Sequence, residues 1–580
     1  MSTFFKKHWL ILVLIVVGFL LYANSFGNRM FWDDDDNILK NQYIKDWQYF
    51  PRYFSENLIA GAGLMSNYWR PLLLTVFSLE WKLWGSWPPG YHLVNTFFHT
   101  ANALLLFFVL FRFFQNRRLA FLTALVFLIH PLQTEAVTYV SGLADPLSVF
   151  FILLGLLFYL KFEQSGAPPW ENKWFWLSLL SSALALLAKE TAIVLPVLIF
   201  LAGFSSQKPE ERIGERLKAS AKKFWPFLAL ALIYFLLRAT TLNFVNTFNL
   251  YNETNVFTAN FLVRLLTFFR VLVIYFSLLF WPQNLHMERS VVLANSWSSP
   301  DVVLGAFLFF GLLALAFFSL LSRPRAILGF GLIWFFIGLA PTSNLLIPVS
   351  GLLYEHWLYL PLAGIFLILI WLGFWVSGKY PFSRNFLLIL LAIFLAFLAR
   401  QTFVRNREWR DPITFYNQTL KYAPGSYRVI NNLGMAYADK GDPLRAEKTY
   451  QLAIQLDPKN PVAWHNLANA YRDTGRADLA IEDFKKAISL DPQFFFSYNA
   501  LVSLYLEKKD YGQARQVLES YLQYSPAQVE TLVLLSRISF EDKDYAAALG
   551  YLRRAHDLNP QNALIEGSIA DLEKLIESKP

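Results

Sequence analysis

The chain has 580 residues, of which 55% are hydrophobic and only 16% are charged, and its mean hydropathy is +0.36. Most of this length cannot be a soluble protein, so we predict a membrane protein with several spans. The net charge is +9, and the basic excess lies in the apolar part, where Lys and Arg fall in short loops; this favours membrane anchoring over nucleic-acid binding. Cysteine is absent, which excludes disulfides, thiolate catalysis and cysteine-bound zinc.

The N-terminal segment predicts an uncleaved first span that starts on the inside. Lys6 and Lys7 precede an apolar run that ends at Tyr22, and no clear small-residue cleavage pattern follows. Eleven more apolar segments come after it, and basic clusters mark inside loops. Counting membrane crossings forward from the N-terminus and backward from Arg323 puts both loops next to residues 261–281 outside, so this segment cannot be a simple crossing. We therefore expect that segment to be re-entrant or interfacial, with about eleven spans and an external C-terminal region. The basic clusters are Arg117 with Arg118, the stretch 208–223, Arg323 with Arg325, and Lys379 with Arg384.

The C-terminal part of the chain carries a 34-residue repeat. Proline, leucine and alanine recur at this interval, which is the signature of tetratricopeptide repeats. Small alanines allow the two helices of a repeat to pack closely, and the proline ends the second helix. The predicted fold class is all-α: a membrane helical bundle at 1–405 with an external loop at 25–90, a connecting helix at 406–423, and an α-solenoid of about four repeats with a capping helix at 424–580. The repeated positions are Pro424, Pro458, Pro492, Pro526 and Pro560; Leu433, Leu467, Leu501 and Leu535; and Ala446, Ala480, Ala514 and Ala548.

Four consecutive aspartates, Asp33 to Asp36, lie just outside the first predicted span. A solvated acidic loop or a helix N-terminus would explain them, since carboxylates favour both places. The functional alternative is that one carboxylate, partly desolvated by Phe31 and Trp32, accepts a proton from a hydroxyl while its neighbours hold a substrate or a cation. The run itself does not indicate which aspartate would do so.

Polar side chains recur at the external ends of later spans. His92, Asn95 and His99 share one face of an apolar helix, where packing between membrane helices is a more common role than metal binding. Seven more ionisable residues are predicted to reach the same side, and loops that emerge together at one membrane face can build one cavity. These residues are Arg70, His130, Glu135, Lys189, Glu190, Glu355 and His356.

Charged residues within apolar sequence are costly, so they usually pair or face an aqueous cavity. Lys189 is therefore a candidate for neutralising a phosphate leaving group, as are Arg70, Arg238 and Arg264. A contact between Lys189 and Glu190 is the structural alternative, although adjacent residues on a helix make such contacts poorly.

The order of these motifs resembles that of the transmembrane and tetratricopeptide-repeat O-mannosyltransferases, which belong to the glycosyltransferase-C superfamily. No single motif is decisive, but they follow the family's order along nearly the whole chain. The resemblance implies a glycosyltransferase-C membrane fold. It also implies a reaction that moves a sugar, mannose or a similar one, from a polyprenyl-phosphate carrier to Ser or Thr of extracytoplasmic proteins. The matching motifs are Phe31 to Asp34, Arg70-Pro71, Tyr91-His92 with Asn95 and His99, His130-Pro131 with Thr134 to Val137, Lys189-Glu190, Ser343 to Leu345, Leu358 to Pro361, Arg405-Asn406 with Trp409, and the repeats.

The family's acidic pair corresponds to Asp33 and Asp34. The resemblance implies that Asp33 is the general base and Asp34 its electrostatic or positioning partner, and that attack opposite the phosphate inverts the anomeric carbon. It also implies that Lys189 and Arg70 stabilise the departing phosphate. The remaining candidates for binding the substrate or the lipid phosphate are His92, Asn95, His99, His130, Glu135, Glu190, Glu355 and His356.

This chain departs from the family's pattern at three places. The acidic run has four members, which leaves Asp35 or Asp36 as alternative bases. Leu143 and His356 stand where animal relatives tend to carry arginine, so a fixed phosphate clamp and the identity of the sugar do not transfer.

Two other functions remain open from the sequence. A non-catalytic membrane scaffold would recruit envelope proteins through its repeats, and a lipid-linked-sugar transporter would carry large inverted repeats, which are not evident here. For the enzyme, the lipid-linked sugar is the donor, and the acceptor polypeptide is a possible partner of the repeats. Clustered aspartates can hold a divalent cation, but no spacing of ligands requires a metal. We expect the plasma membrane of a prokaryote, with the repeats on the outside.

Overall fold

The computed structural model describes residues 2–206, 212–244, 256–322, 326–349 and 351–578, and every regular element in these ranges is helical. The all-α prediction is confirmed for this part of the chain. Three residues of the predicted basic clusters, Lys208, Arg323 and Arg325, lie outside the described residues. Contacts divide the chain into two compact units, residues 1–415 and 416–580.

The first unit is a bundle of apolar helices joined by short 3-10 turns. Its longest continuous helices are those that the hydropathy of the sequence predicts. The first span continues through a 3-10 turn to Ser25, and α9 begins about ten residues before the predicted apolar segment. The helices are α1 (Ser2–Tyr22), α2 (Pro71–Trp84), α3 (Pro88–Phe114), α4 (Arg117–Ile129), α5 (Thr134–Thr138), α6 (Ala144–Ser165), α7 (Lys173–Ala188), α8 (Leu195–Ser206), α9 (Ile213–Ala239), α10 (Val256–Ala259), α11 (Phe261–Phe280), α12 (Pro300–Ser322), α13 (Ile327–Leu339), α14 (Leu362–Lys379), α15 (Arg384–Glu408) and, across the boundary, α16 (Pro412–Leu420).

Eight helices among the described residues are long and apolar enough to cross a membrane. The count becomes nine if Arg117–Ile129 and Pro131–Thr138, which are bent by 56°, form one broken span. Three shorter apolar helices, Lys173–Ala188, Glu190–Ser206 and Ile327–Thr342, account for the rest of the predicted apolar segments. This composition indicates an integral membrane protein, while the number of eleven spans and the side of each loop stay predictions.

The segment at 261–281 forms one uninterrupted helix of 20 residues, α11. It contains no turn at which a re-entrant loop would reverse, and its length and composition are those of a candidate span. Asn260 caps its N-terminus, because its Oδ1 accepts hydrogen bonds from the N–H groups of Leu262 and Val263 at 2.9 and 3.4 Å.

Small residues bring the membrane helices close together. Gly331 of α13 and Gly364 of α14 face each other, and a Cβ added to either would collide with the other's carbonyl oxygen. Between α6 and α7, Ser178 donates a hydrogen bond of 2.8 Å to the carbonyl oxygen of Gly155. Such contacts replace the hydrophobic effect, which is weak between helices in lipid.

The segment between α1 and α3 contains short 3-10 helices, one π-helical turn at Asp35–Leu39, and α2. Leu73, Leu74 and Phe77 of α2 are buried in a core that also receives Tyr91 of α3 and Leu147 of α6. This segment therefore packs on the bundle and holds the acidic run of the sequence against it.

The second unit consists of paired antiparallel helices followed by a single terminal helix. All four repeated alanines are fully buried, and the repeated prolines follow the ends of the second helices, as the tetratricopeptide signature predicts. Asp442, Asp510 and Asp544 begin second helices by accepting a backbone hydrogen bond. The helices are α17 (Tyr427–Asp439), α18 (Pro443–Leu456), α19 (Pro461–Asp473), α20 (Ala477–Leu490), α21 (Phe495–Glu507), α22 (Tyr511–Tyr524), α23 (Val529–Glu541), α24 (Tyr545–Leu558) and α25 (Ala563–Glu577).

Candidate functional site

The acidic run is fixed to the bundle through Asp34. One oxygen of its buried carboxyl accepts hydrogen bonds from the N–H and the hydroxyl of Ser141, at 2.8 and 2.6 Å. The other oxygen accepts one from the N–H of Phe31 at 3.1 Å. Burial raises the pKa of Asp34 from 3.8 to about 7, although these hydrogen bonds act in the opposite direction. Asp34 therefore anchors the loop.

The neighbouring aspartates have different surroundings. Asp33 is exposed, and its backbone N–H donates to the hydroxyl of Tyr139 at 3.0 Å. Asp35 and Asp36 are partly exposed and lie 3.9 and 3.4 Å from the ammonium group of Lys40. The preceding residue, Trp32, has a φ of +65°, an unusual conformation for a bulky side chain. Consecutive carboxyls thus differ in burial and in partners, which the sequence alone cannot show.

Two ion pairs link distant parts of the first unit. Arg70, at the start of α2, binds Glu190 with both arms of its guanidinium, at 2.6 and 3.0 Å. Lys189, next to Glu190 in sequence, instead donates to Asp145 at the start of α6, at 2.7 Å. The adjacent contact between Lys189 and Glu190, which the sequence left as an alternative, is therefore not the main pairing of either residue.

Tyr68 connects the acidic loop to these ion pairs. Its ring lies 4.4 Å from the guanidinium of Arg70. Its hydroxyl interacts electrostatically with Arg70, Glu190 and Asp33. Arg70 in turn interacts electrostatically with Asp145. The two ion pairs, Arg70 with Glu190 and Lys189 with Asp145, therefore form one charged cluster, and Asp33 acts on its neighbour Tyr68.

A small cleft opens beside this cluster. Asp145 and Lys189 lie at one side and His356 at another. Nδ1 of His356 is 2.9 Å from the buried carboxylate of Glu135, which also accepts backbone hydrogen bonds from Glu355 and His356. Glu135 thus orients the imidazole toward the cleft. The other lining residues are Ser148, Val149, Ile152, Thr191, Gly338, Thr342, Trp357, Leu360 and Pro361.

Glu355 lies behind the cleft and is not among its lining residues. Its fully buried carboxylate accepts from the N–H of His286 at 2.8 Å and lies 3.3 and 3.4 Å from the guanidinium groups of Arg289 and Arg405. A buried carboxylate with three donors from three segments is an anchor of the fold.

The predicted polar residues on α3 and at the end of α4 are fully buried and bond mainly to backbone carbonyls. His92 contacts the carbonyl oxygen of Asn28 at 3.2 Å, and His130 contacts that of Leu279 at 3.2 Å. Asn95 donates to three carbonyl oxygens, one in α5 and two in the turn that follows it.

His99 bridges the carbonyl oxygen of Leu128 and the hydroxyl of Tyr359, at 3.0 and 2.7 Å. None of these four side chains is among the residues that line the cleft. Their contacts are those of helix packing.

No group of three or more His, Asp or Glu residues in the described ranges could hold a metal ion. The acidic run does not form one, because its members point to different partners: Asp34 to Ser141, and Asp35 and Asp36 to Lys40. The described residues therefore provide no set of metal ligands.

Comparison with known proteins agrees with this architecture. Residues 9–263 match the family described as dolichyl-phosphate-mannose-protein mannosyltransferase. Residues 427–460 match the tetratricopeptide repeat, and residues 451–564 match the tetratricopeptide domain of cytochrome c-type biogenesis protein H. By sequence, the chain resembles the protein O-mannosyl-transferases.

Two relatives illustrate the extent of this likeness. Protein O-mannosyl-transferase TMTC4 of Homo sapiens is 27% identical over 503 residues, which covers 77% of this chain and 66% of the relative. Protein O-mannosyl-transferase F38B6.6 of Caenorhabditis elegans is 27% identical over 464 residues, or 77% of this chain and 63% of the relative. The matched part of this O-mannosyl-transferase-like chain thus spans slightly less than two thirds of the length of these relatives.

Sequence reasoning missed several residues of the charged cluster. Asp145, Tyr68 and Ser141 were not among the predicted site residues. Asp145 begins a long apolar helix, where a carboxylate is both favourable and exposed to partners from other loops. The position of Asp145 at the start of that helix was the signal that could have identified it. The role of Ser141 had no such signal, because it depends on a contact with Asp34, 107 residues away along the chain.

Proposed function

We propose that this chain is an integral-membrane glycosyltransferase. It moves a sugar, mannose or a similar one, from a polyprenyl-phosphate carrier to Ser or Thr hydroxyls of extracytoplasmic proteins. The likeness to O-mannosyl-transferases supports the reaction class. The observation that carries the proposal is that the exposed carboxylate of Asp33 acts electrostatically on Tyr68 beside Arg70, while the ion pair of Lys189 and Asp145 lines the cleft.

Asp33 is the general base of the proposed reaction. Its exposed carboxylate can reach an acceptor hydroxyl, whereas both oxygens of Asp34 already accept hydrogen bonds. Burial raises the pKa of Asp34, so Asp34 is partly protonated near neutral pH and adds less repulsion when Asp33 is ionised. Asp34 is then a positioning residue that holds Asp33 in place through Ser141.

The reaction is a displacement at the anomeric carbon. The acceptor oxygen loses its proton to Asp33 and forms the new glycosidic bond, while the bond between the anomeric carbon and the phosphate oxygen breaks. Attack from the face opposite the phosphate inverts the configuration. The bond electrons leave with the lipid phosphate, and nearby cations stabilise its charge.

Lys189 and Arg70 are the cations of the charged cluster. Each already has a carboxylate partner, Asp145 or Glu190, at 2.6 to 2.7 Å. Their contribution to a phosphate would therefore require part of that contact to be given up. His356, which Glu135 orients, supplies a further donor to the cleft when its imidazole is protonated.

The test is sugar transfer by purified protein in lipid vesicles, with radiolabelled polyprenyl-phosphate mannose and a Ser/Thr-rich peptide. Asp33→Asn should reduce kcat by at least about a hundredfold, since general bases contribute about 10² to 10⁴ in rate. Asp36→Asn is the matched control, because it removes the same charge from a carboxylate that pairs with Lys40. Equal activity of Asp33→Asn and wild type would refute the role of Asp33. No transfer by wild-type protein with any lipid-linked sugar would favour the scaffold function instead.

The repeats of the second unit, in this proposal, bind the acceptor polypeptide outside the cytoplasm and raise its local concentration. Deleting residues 424–580 should then raise KM for long acceptor proteins by more than it raises KM for short peptides. Equal effects on both acceptors would contradict this role.

A further inference from the structure

Three cations form a basic group at the end of the helices that lies far from the cleft. Arg112 is in the last turn of α3, Lys161 is near the end of α6, and Lys173 begins α7. Helix α6 packs against both α3 and α7. Asp145, which lines the cleft, lies near the start of α6, about 24 Å from Lys161 along the helix axis. The basic group is therefore separate from the site of the proposed reaction.

The indole ring of Trp174 brings the two lysines of the basic group together. Its centroid is 4.2 Å from Nζ of Lys161 and 5.1 Å from Nζ of Lys173, so the two ammonium groups are less than about 10 Å apart. Lys161 also interacts electrostatically with Arg112 and with Lys173. Like charges this close repel each other, and an anion bound among them would offset that cost.

The carboxylates of the described residues do not neutralise these charges. Glu163, the carboxylate nearest to Lys161 in sequence, binds Lys223 at 2.8 Å, and the exposed Glu171 is not among the groups that act on Lys161. No ion pair in the described ranges includes a member of the basic group. Nε of Arg112 is buried and has no acceptor. A buried donor without an acceptor is costly, which favours binding of an anion there.

Exposed tryptophans indicate that the basic group lies at the membrane surface. Trp170 and Trp176 are 71% and 53% exposed, and Nε1 of Trp176 donates to the carbonyl oxygen of Trp170 at 3.2 Å. Tryptophan is enriched at the boundary between lipid and water, where its ring is in the apolar region and its N–H reaches polar groups. Arg112 and Lys161 also lie near the ends of candidate membrane spans. The three cations are therefore at the level of lipid head groups.

Apolar side chains continue from the cations along the membrane helices. Phe108 precedes Arg112 by one turn of α3, and Trp176 and Leu180 follow Lys173 by one and two turns of α7. All three apolar side chains are exposed. An anion held beside them needs an apolar part of its own, which the acyl chains of a lipid provide and a free phosphate or an acidic peptide does not.

We propose that the basic group binds the head group of an anionic phospholipid, in the leaflet opposite the cleft. The planar guanidinium of Arg112 donates to the phosphate oxygens, and the two ammonium groups add their charge. The acyl chains lie along α3 and α7. The lipid thereby holds α6 to α7, whose opposite ends carry Asp145 and Lys189. This binding does not depend on sugar transfer.

The experiment measures the unfolding midpoint of the full chain in detergent as lipid is added. The probes are dioleoylphosphatidylglycerol, which is anionic, dioleoylphosphatidylcholine, which has the same chains and no net charge, and glycerol 3-phosphate, an anion without chains. Phosphatidylglycerol should raise the midpoint at concentrations at which the other two do not. Lys161→Gln and Arg112→Gln should each need about five times more phosphatidylglycerol for half of that rise, the effect of one cation near an anionic surface. Lys161→Arg keeps the charge and should stay within about twofold of wild type.

Lys379→Gln is the matched control. Nζ of Lys379 lies 5.3 Å from the ring of Trp375 at the end of another candidate span, so this change removes the same charge beside a tryptophan and leaves the basic group intact. An equal loss in Lys379→Gln, or in Lys161→Arg, would overturn the proposal, because the effect would then come from general surface charge or from packing.

Two other results would also overturn the proposal. One is equal stabilisation by phosphatidylcholine and phosphatidylglycerol, and the other is an affinity of Lys161→Gln and Arg112→Gln that equals that of wild type. Glycerol 3-phosphate that stabilises the protein as well as phosphatidylglycerol would overturn the lipid as the source of the phosphate. The comparison uses the lipid concentration at half of the rise, so it does not depend on the midpoint of each variant without lipid.

Discussion

Replacing Asp34 with asparagine should remove a dependence of stability on pH that the buried carboxyl creates. The pKa of Asp34 rises from 3.8 to about 7 on folding because its carboxyl is buried. Such a group stabilises the folded state fully below about pH 3.8, and this contribution is lost as the pH rises through about 7. A rise of this size corresponds to about 4 kcal/mol, since one pKa unit is worth about 1.4 kcal/mol.

Asparagine removes the titration but also removes one acceptor. Its amide nitrogen cannot accept from the N–H of Phe31 or Ser141, so one buried hydrogen bond is lost at a cost of about 1 to 3 kcal/mol at every pH. The stability of Asp34→Asn relative to wild type should therefore improve by about 3 kcal/mol between pH 5 and pH 8. For a unit of 415 residues, this is about 3 °C in the unfolding midpoint.

The absence of cysteine allows a direct assay of this unit. A single cysteine at Ala103, which is fully buried, reports unfolding by its reaction with a maleimide dye during heating. Asp36→Asn in the same background is the control and should shift the midpoint little at either pH. A difference between Asp34→Asn and wild type that is the same at pH 5 and pH 8 would refute the raised pKa.

Three further predictions use the same assay. Lys189→Met should destabilise the first unit by about 3 kcal/mol because it leaves Asp145 buried without its ammonium partner. Adding Asp145→Leu should recover most of that loss, whereas additive effects of the two substitutions would contradict the ion pair. Glu80→Met should raise the midpoint, more at pH 8 than at pH 5. Both oxygens of Glu80 are buried without a hydrogen bond, and burial raises its pKa; a lower midpoint would show that the carboxyl has a partner. Gly364→Ala should cost about 1 to 3 kcal/mol because the new methyl group meets the carbonyl oxygen of Gly331, and an unchanged midpoint would contradict that close approach.

The helical repeats of the second unit were predictable from the sequence. The expected capping helix is the last helix of the unit, α25. A repeat makes each position predictable from its equivalents, and each helix packs mainly on its sequence neighbours. In this unit, the sequence pattern of a helix therefore also indicates which helices it contacts.

In the membrane unit, the apolar segments were predictable but their pairing was not. The sequence places Lys189 beside Glu190, yet the two residues bind Asp145 and Arg70, which lie 44 and 120 positions away. The hydrophobicity of a segment predicts that it forms a membrane helix, but it says little about which other helix it packs against. Ion pairs depend on that choice, so they emerge only with the structure.

The acidic loop is an intermediate case. Its place outside the first span and its possible chemistry followed from the sequence, and the resemblance to a family singled out Asp33 and Asp34. The difference between these two side chains did not follow, because it depends on Ser141, which is distant in the chain.

The turn between Ser141 and Asp145 acts as a fixed spacer. Ser141 fastens the aspartate loop and Asp145 fastens Lys189, with only three residues between them. One residue inserted into that helical segment would rotate one attachment relative to the other by about 100° and shift it by about 1.5 Å. An insertion in another loop would change only the length of that loop. Homologues that retain both attachments should therefore show no length variation in this turn.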